Sequence, residues 1–355
     1  MHIDLFYEMA VPDSAGRTES QVFQETLDEL VVAEAAGFGA AWLVEHHFMR
    51  EYSHSSAPDL MLAAASQRTR RLRLGQAVAL LPHHHPLHLA ERLATLDLLS
   101  GGRVEFGFGR GFSPREFAAF GVPMEQSRDR AEEALAIIRQ SFSGQAVNFS
   151  GRHFKIENAE VLPKVVQQPH PPLWMAAVSP ESFELAARLG VGVLVGPFKP
   201  WFMVKTDIEQ YHAAWEKYHR NDDMKPRVGM TIGLLCLEDG ERARAIAKTH
   251  LLWFYDTLLR QTTPVLERLH AGYEYYRRVG ALKFLAQKVL NLTALETAGM
   301  VVVGDPEHCR RKLQTYRDAG VDRLLLAVSA GGTSSAIVRE CLRVVGEKVI
   351  PHFSG

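Results

Sequence analysis

Cysteine is scarce in this chain: there are 3, Cys236, Cys309 and Cys341, and no CxxC pair joins any of them. That usage excludes a small disulfide scaffold and reads as a reduced, cytosolic protein. Charge of one sign is not in surplus either. Lys and Arg number 40 against 41 Asp and Glu, a formal net charge of -1, so a general nucleic-acid or membrane-surface binder is not expected. No stretch approaches the roughly 20 apolar residues that span a bilayer. The opening MHIDLFYEMAVPDSAG lacks a basic start, and Asp4 and Glu8 interrupt its apolar run, which argues against a signal peptide and for a cytoplasmic location. Internal repeats, low-complexity tracts and domain linkers are missing as well.

What the chain does have is 355 residues, 46% of them hydrophobic, enough for one large core. A short apolar strand followed by an amphipathic helix is its dominant pattern. Strands are predicted at 2–8, 39–44, 72–81, 103–109, 173–178, 191–195, 228–237 and 323–328. Helices are predicted at 20–35, 58–68, 86–99, 128–142, 180–189, 208–218, 241–259, 305–319 and 335–349. Several strands are continuous apolar runs, as in a parallel sheet covered on both faces. About eight βα units point to closure into a (β/α)8 barrel. A doubly wound open sheet is the rival, weakened because GxGxxG does not follow the first strand.

Two stretches break the rhythm. Residues 143–164 read as a β-hairpin with Gly151 near its turn. The excursion at about 260–300, before the last strand, holds Tyr273, Tyr275, Tyr276 and Phe284 and reads as a lid on one domain spanning 1–355.

A barrel of this kind carries its chemistry at the carboxyl ends of its strands. That rule selects Glu45, His46 and His47 after the second strand and Pro82, His83, His84 and His85 after the third. It selects Gly109, Arg110 and Gly111 after the fourth, and Ser179 at the end of the 173–178 run that includes Ala177 and Val178. His is the side chain that titrates nearest neutrality, suited to moving a proton at a bound ring. A single strand-end histidine, however, more often bonds a neighbouring loop. Glu45 beside the pair is more telling, because a buried carboxylate needs a partner. The His83-His84-His85 run, with His88, is not expected to hold a metal, since adjacent side chains on an extended segment diverge. Glycines 107, 109 and 111 allow a ligand to approach the backbone, and Arg110 offers a fork for phosphate, although a tight turn with a surface arginine reads equally well. Ser179-Pro180 is a helix N-cap, and a helix N-terminus is an anion site. With Arg128 and Ser182 it would complete a pocket for a terminal phosphate.

These residues resemble a known family. Ala41-Trp42-Leu43-Val44-Glu45-His46-His47-Phe48 is similar to the second-strand signature of the bacterial luciferase-like flavin-dependent monooxygenases, the luciferase alpha subunit in particular. The similarity continues through Leu74–Pro82, His85-Pro86, Gly101–Gly107, Gly109-Arg110-Gly111, Phe120-Gly121, Ser127-Arg128 and Val303–Glu307, and is weakest over 262–295. The resemblance implies a barrel that takes reduced FMN from a separate NAD(P)H-flavin reductase. It implies reaction with O2 to a C4a-peroxyflavin and oxygenation of a small apolar substrate such as an aldehyde or ketone. It gives His46 as the catalytic histidine, with His47 and Glu45 beside it, and Ala77-Val78 as a non-prolyl cis peptide beneath the ring. Arg110, Arg128, Ser179 and Ser182 become phosphate contacts, with Gly109, Ala177 and Val178 lining the cofactor. It also suggests a homodimer through helices near the second and third strands, for which 58–68 would serve. Gly109 where luciferase has cysteine, Val178 where it has glutamate and Pro197 where it has tryptophan speak against light emission. Two alternatives stay open: hydride transfer with a deazaflavin, and a non-catalytic flavin-binding subunit.

Overall fold

The computed structural model describes residues 1–197, 199–269 and 290–353. The aromatic residues Tyr273, Tyr275, Tyr276 and Phe284, expected in a lid, lie outside the described residues. The strands are β1 (His2–Tyr7), β2 (Ala40–Leu43), β3 (Arg73–Leu80), β4 (Val104–Gly109), β5 (Val147–Ser150), β6 (Lys155–Ala159), β7 (Leu173–Ala176), β8 (Gly192–Val195), β9 (Val228–Cys236), β10 (Val301–Gly304) and β11 (Arg323–Ala327). The helices are α1 (Glu19–Ala36), α2 (Pro58–Arg68), α3 (Pro86–Ser100), α4 (Pro114–Ala119), α5 (Ser127–Phe142), α6 (Pro180–Leu189), α7 (Trp201–His219), α8 (Gly240–Leu269), α9 (Leu292–Thr297), α10 (Pro306–Arg317) and α11 (Ser335–Lys348).

Strands β1, β2, β3, β4, β7 and β8 pair in that order, all parallel. Strand β9 closes the ring between β8 and β11, and β11 returns to β1. The expected parallel (β/α)8 barrel is therefore the observed fold. Its strands read as apolar runs because both faces are covered: every residue of β2, β4 and β9 is buried. The hairpin expected at 143–164 is present as the antiparallel pair β5 and β6.

Sequence patterning placed some boundaries differently. The 173–178 strand ends at Ala176, so Ala177 and Val178 begin the loop to α6. Strand β10 was not expected; it pairs with the second half of β9, Val301 beside Gly233 through Gly304 beside Cys236, while β11 uses the first half. Nine buried residues make β9 long enough to serve both. Helix α4 is only 6 residues long, too short for a periodic signal. The three cysteines, remote in sequence, are free and buried, and Cys236 at the end of β9 donates its N–H to Sγ of Cys341 at 3.3 Å.

Local chemistry fixes the connections. Thr18 and Gln21 form a capping box at the start of α1, and Gly37, at φ 91°, ends it in the left-handed conformation that costs glycine little. The amino end of the barrel is sealed by a buried polar layer. Arg323 bonds Asp4 at 2.6 Å, Trp42 donates to Asp4 at 2.9 Å, and Trp174 donates to Glu105 at 2.7 Å. The two indoles meet edge to face at 5.7 Å. With this end closed, a large open space lies toward the carboxyl ends of the strands.

Candidate active site

That space is a cavity of about 800 Å³, within the range that takes a cofactor or substrate. Its floor is apolar, made by Phe6, Phe108, Met175, Leu194 and Leu325 with Thr231. Around it the fold gathers Glu45, His46, Ala77, Val78, Gly109, Arg110, Arg128, Val178, Ser179 and Ser182. Two expected residues are not in the lining. Ala177 is fully buried, its N–H bonded to the carbonyl of Leu194 at 3.0 Å. His47 turns away from the cavity, its ring edge-on to Phe120 at 4.8 Å.

His46 is held between two carboxylates. Its Nε2 lies 3.8 Å from Oε2 of Glu8, and its Nδ1 lies 3.6 Å from Oε1 of Glu116. Glu8 follows β1 and accepts the Tyr52 hydroxyl at 2.8 Å on its other oxygen. Glu116, in α4, accepts the backbone N–H of His47 at 2.9 Å. Both carboxylates are buried. Burial opposes a charge on His46, but Glu8, Glu116 and Glu45 outweigh it and raise its pKa above the usual histidine value. Burial also raises the pKa of Glu8, against the pull of His46 and Tyr52. Both shifts favour the protonated form of their group at the cavity wall.

Glu45 does a different job. Its Oε1 accepts both Nε2 of His47 at 3.0 Å and Nε2 of His84 at 2.7 Å, and its Oε2 accepts the N–H of Leu80 at 2.9 Å. Burial resists its charge, yet these bonds hold its pKa at about 2. Glu45 thus ties the end of β2 to the end of β3. Of the histidine run, His84 faces this carboxylate, and His83 packs on Phe117 with ring centroids 4.6 Å apart.

Arg110, Arg128 and the start of α6 line the same cavity. The Ser182 hydroxyl accepts the N–H groups of Val178 at 3.1 Å and Ser179 at 2.9 Å and donates to the Ser179 carbonyl at 2.6 Å, which shapes the turn before the helix. Two arginines and a helix N-terminus in one lining suit a phosphomonoester. Ala77-Val78, whose peptide bond is cis, is also part of the lining. Gly109 faces it across β3 and β4, and a Cβ there would come within 2.7 Å of Val78 Cγ2. The absence of a side chain at Gly109 thus lets Val78 pack against β4 beside the cis peptide. The two arginines, the helix N-terminus and the cis peptide in one lining fit a flavin mononucleotide.

Sequence reasoning missed Glu8 and Glu116. Glu8 was within reach of the strand-end rule, since it follows β1 directly. Glu116 carries no such signal, because it sits in a short helix off the fourth strand and reaches His46 only in three dimensions.

The carboxyl ends of a parallel (β/α)8 barrel thus gather a carboxylate-flanked histidine, two arginines and a helix N-terminus around one cavity, a candidate active site of the barrel class. Residues 1–323 match the family model for luciferase-like monooxygenases, and the chain belongs to that family. It is 42% identical over 174 residues to the uncharacterized protein y4wF of Sinorhizobium fredii, covering 48% of this chain and 51% of that protein, so the chain spans about half the length of that relative. It is 28% identical to the alkanal monooxygenase alpha chain of Photorhabdus luminescens, covering 91% of this chain and 89% of that one. It is also 28% identical to the oxygenase component of the flavin-dependent trigonelline monooxygenase of Acinetobacter baylyi, over 100% of this chain and 96% of that one. Among solved structures, monooxygenase RslO1 of Streptomyces bottropensis superposes with a TM-score of 0.84 at 27% identity, covering 100% of both chains. The oxygenating constituent of 3,6-diketocamphane monooxygenase of Pseudomonas putida, solved with FMN, shares the fold at a TM-score of 0.78 and 18% identity over 99% of this chain and 98% of that one.

Proposed function

We propose that the protein is the oxygenase component of a two-component, FMN-dependent monooxygenase acting on a small, largely apolar substrate such as an aldehyde or ketone. One observation carries this reading: a single cavity is lined both by Arg110, Arg128 and the N-terminus of α6 and by His46, held between Glu8 and Glu116. Arg110, Arg128, Ser179 and Ser182 would hold the phosphate, and Ala77, Val78 and Gly109 would border the ring, with Val178 beside it.

Reduced FMN, when bound, supplies two electrons and activates O2; one oxygen atom enters the substrate and the other leaves as water. His46 is the acid/base group. Its imidazolium donates a proton at Nε2, and Glu8 and Glu116 keep that proton available. Glu45 and His47 fix the backbone on which His46 is carried. The apolar floor excludes water from the reacting atoms.

The name of the trigonelline relative, an oxygenase component, supports a separate NAD(P)H-flavin reductase as partner. Exposed Leu60 on α2 and Leu98 and Leu99 on α3 support a homodimer through those helices. Among the described residues no helix is long and apolar enough to cross a membrane. Titrating the protein with FMN and with a deazaflavin separates this reading from hydride transfer. Preference for FMN and oxygen-18 transfer from O2 into an added aldehyde or ketone are expected. Preference for the deazaflavin overturns the FMN assignment.

A further inference from the structure

One residue of the cavity floor is out of character with the rest. Thr231, in β9, lines the floor among Phe6, Phe108, Leu194 and Leu325, and only 5% of it is exposed. Two observations turn its side chain inward. It is paired in register with Leu325 of β11, and side chains at paired positions of parallel strands share a face. Two residues earlier on β9, a Cβ on Gly229 would come within 2.7 Å of Leu194 Cδ2 and 3.5 Å of Leu325 Cδ1, so that face of the strand looks onto the floor.

The Thr231 hydroxyl has no hydrogen-bond partner among the described residues. Thr262, which also lines the cavity, shows the contrast: its hydroxyl donates to the Leu258 carbonyl one turn back in α8, at 2.9 Å. A strand offers no such carbonyl, because the ladder uses its own. Valine has the same shape and suits a strand as well, without a hydroxyl to leave unsatisfied in an apolar surround. The fold therefore gains nothing from the hydroxyl, and neither the phosphate pocket nor the His46 row uses it.

We propose that Thr231 is a specificity-determining residue whose hydroxyl donates a hydrogen bond to a carbonyl oxygen of the substrate. This rests on the reading of the cavity as a joint flavin and substrate site. One neutral donor in an apolar floor matches one neutral acceptor on an apolar body, which is the pattern of a simple ketone or aldehyde. A carboxylate in the same place would have no cation among the floor residues. An alcohol brings a proton of its own, and one of the two hydroxyl protons would be left without an acceptor. With the carbonyl oxygen held by Thr231, the hydrocarbon part lies against Phe6, Phe108, Leu194 and Leu325.

The test is calorimetric titration at neutral pH with cyclohexanone and chlorocyclohexane, which are alike in shape, while chlorine is a poor hydrogen-bond acceptor. It is run on the FMN-loaded protein and on the apoprotein, for the wild type, Thr231→Val and Thr231→Ser. The ratio of ketone to chloride affinity should fall about fivefold in Thr231→Val, the scale of one neutral hydrogen bond, and Thr231→Ser should keep it. Thr231→Val should melt no lower than the wild type and bind FMN as tightly. An unchanged ratio in Thr231→Val, or a wild type that binds neither probe, overturns the proposal. So does a valine variant that melts markedly lower or fails to fold, since the hydroxyl then serves the fold. A fivefold loss of FMN affinity in that variant overturns it as well, by assigning the hydroxyl to the cofactor. If FMN does not load on the wild type, the flavin reading fails, and the apoprotein titration still decides the role of Thr231.

Discussion

Oε2 of Glu8 stands 3.8 Å from Nε2 of His46, and it has no hydrogen-bond partner among the described residues. A buried carboxylate oxygen left in this state is expensive unless its neighbour carries charge or it carries a proton itself. Glu8 and His46 therefore titrate as a pair, and the reaction should feel the state of both.

The first prediction concerns pH. The pKa of His46 is raised, so its protonated form persists above the usual range and is lost as pH rises through the folded-state value. Activity that needs the imidazolium should fall on that alkaline limb. Glu8→Gln removes one of the charges that sustain it, so the limb should move toward acid by about one pH unit. His46→Ala should lower turnover by about 10²- to 10⁴-fold with FMN affinity nearly unchanged. A pH–rate profile of the three proteins checks both statements.

Arg110→Ala and Arg128→Ala should each weaken FMN by about tenfold to a hundredfold, the scale of one charged hydrogen bond. Riboflavin, which lacks the phosphate, should bind the variants and the wild type alike. Fluorescence titration with the two flavins reads the difference.

Glu45 makes a stability prediction in acid. Its folded pKa, about 2, is below the unfolded value, so its contribution is present above that unfolded value and is lost as pH falls toward 2. Glu45→Gln should destabilise the protein at neutral pH by roughly 3 kcal/mol and flatten its acid unfolding between about pH 4.5 and 2. Denaturant midpoints at several pH values measure it.

Glu29 predicts the opposite slope. It is buried in α1, and burial lifts its pKa to about 7 against the opposing pull of the nearby Ser335 and Tyr7 hydroxyls. A raised carboxyl pKa gives stability that is whole at low pH and is lost as pH rises through the folded value. Glu29→Gln should therefore gain on the wild type between pH 5 and 8, by up to roughly 3 kcal/mol, in thermal melts across that range.

The sequence revealed the barrel because parallel strands covered on both faces become apolar runs, and the strand-end rule then selected Glu45, His46, Arg110 and Ser179. What it did not reveal depends on contacts between distant segments. Glu116 meets His46 across 70 residues of chain only because α4 folds back over the second strand. His47 illustrates the reverse case. Adjacent to His46 in sequence, it points to Glu45 instead, because neighbouring side chains on an extended segment diverge.

The central claim is that this cavity binds reduced FMN beside His46 and shields its reaction with oxygen. The direct test mixes the protein with one equivalent of reduced FMN without oxygen, adds aerated buffer and follows the return of oxidised-flavin absorbance. The account predicts that this return is markedly slower than for free FMN, and faster again in Arg110→Ala at the same concentrations. Return at the rate of free FMN, with no flavin retained by the protein, would contradict it.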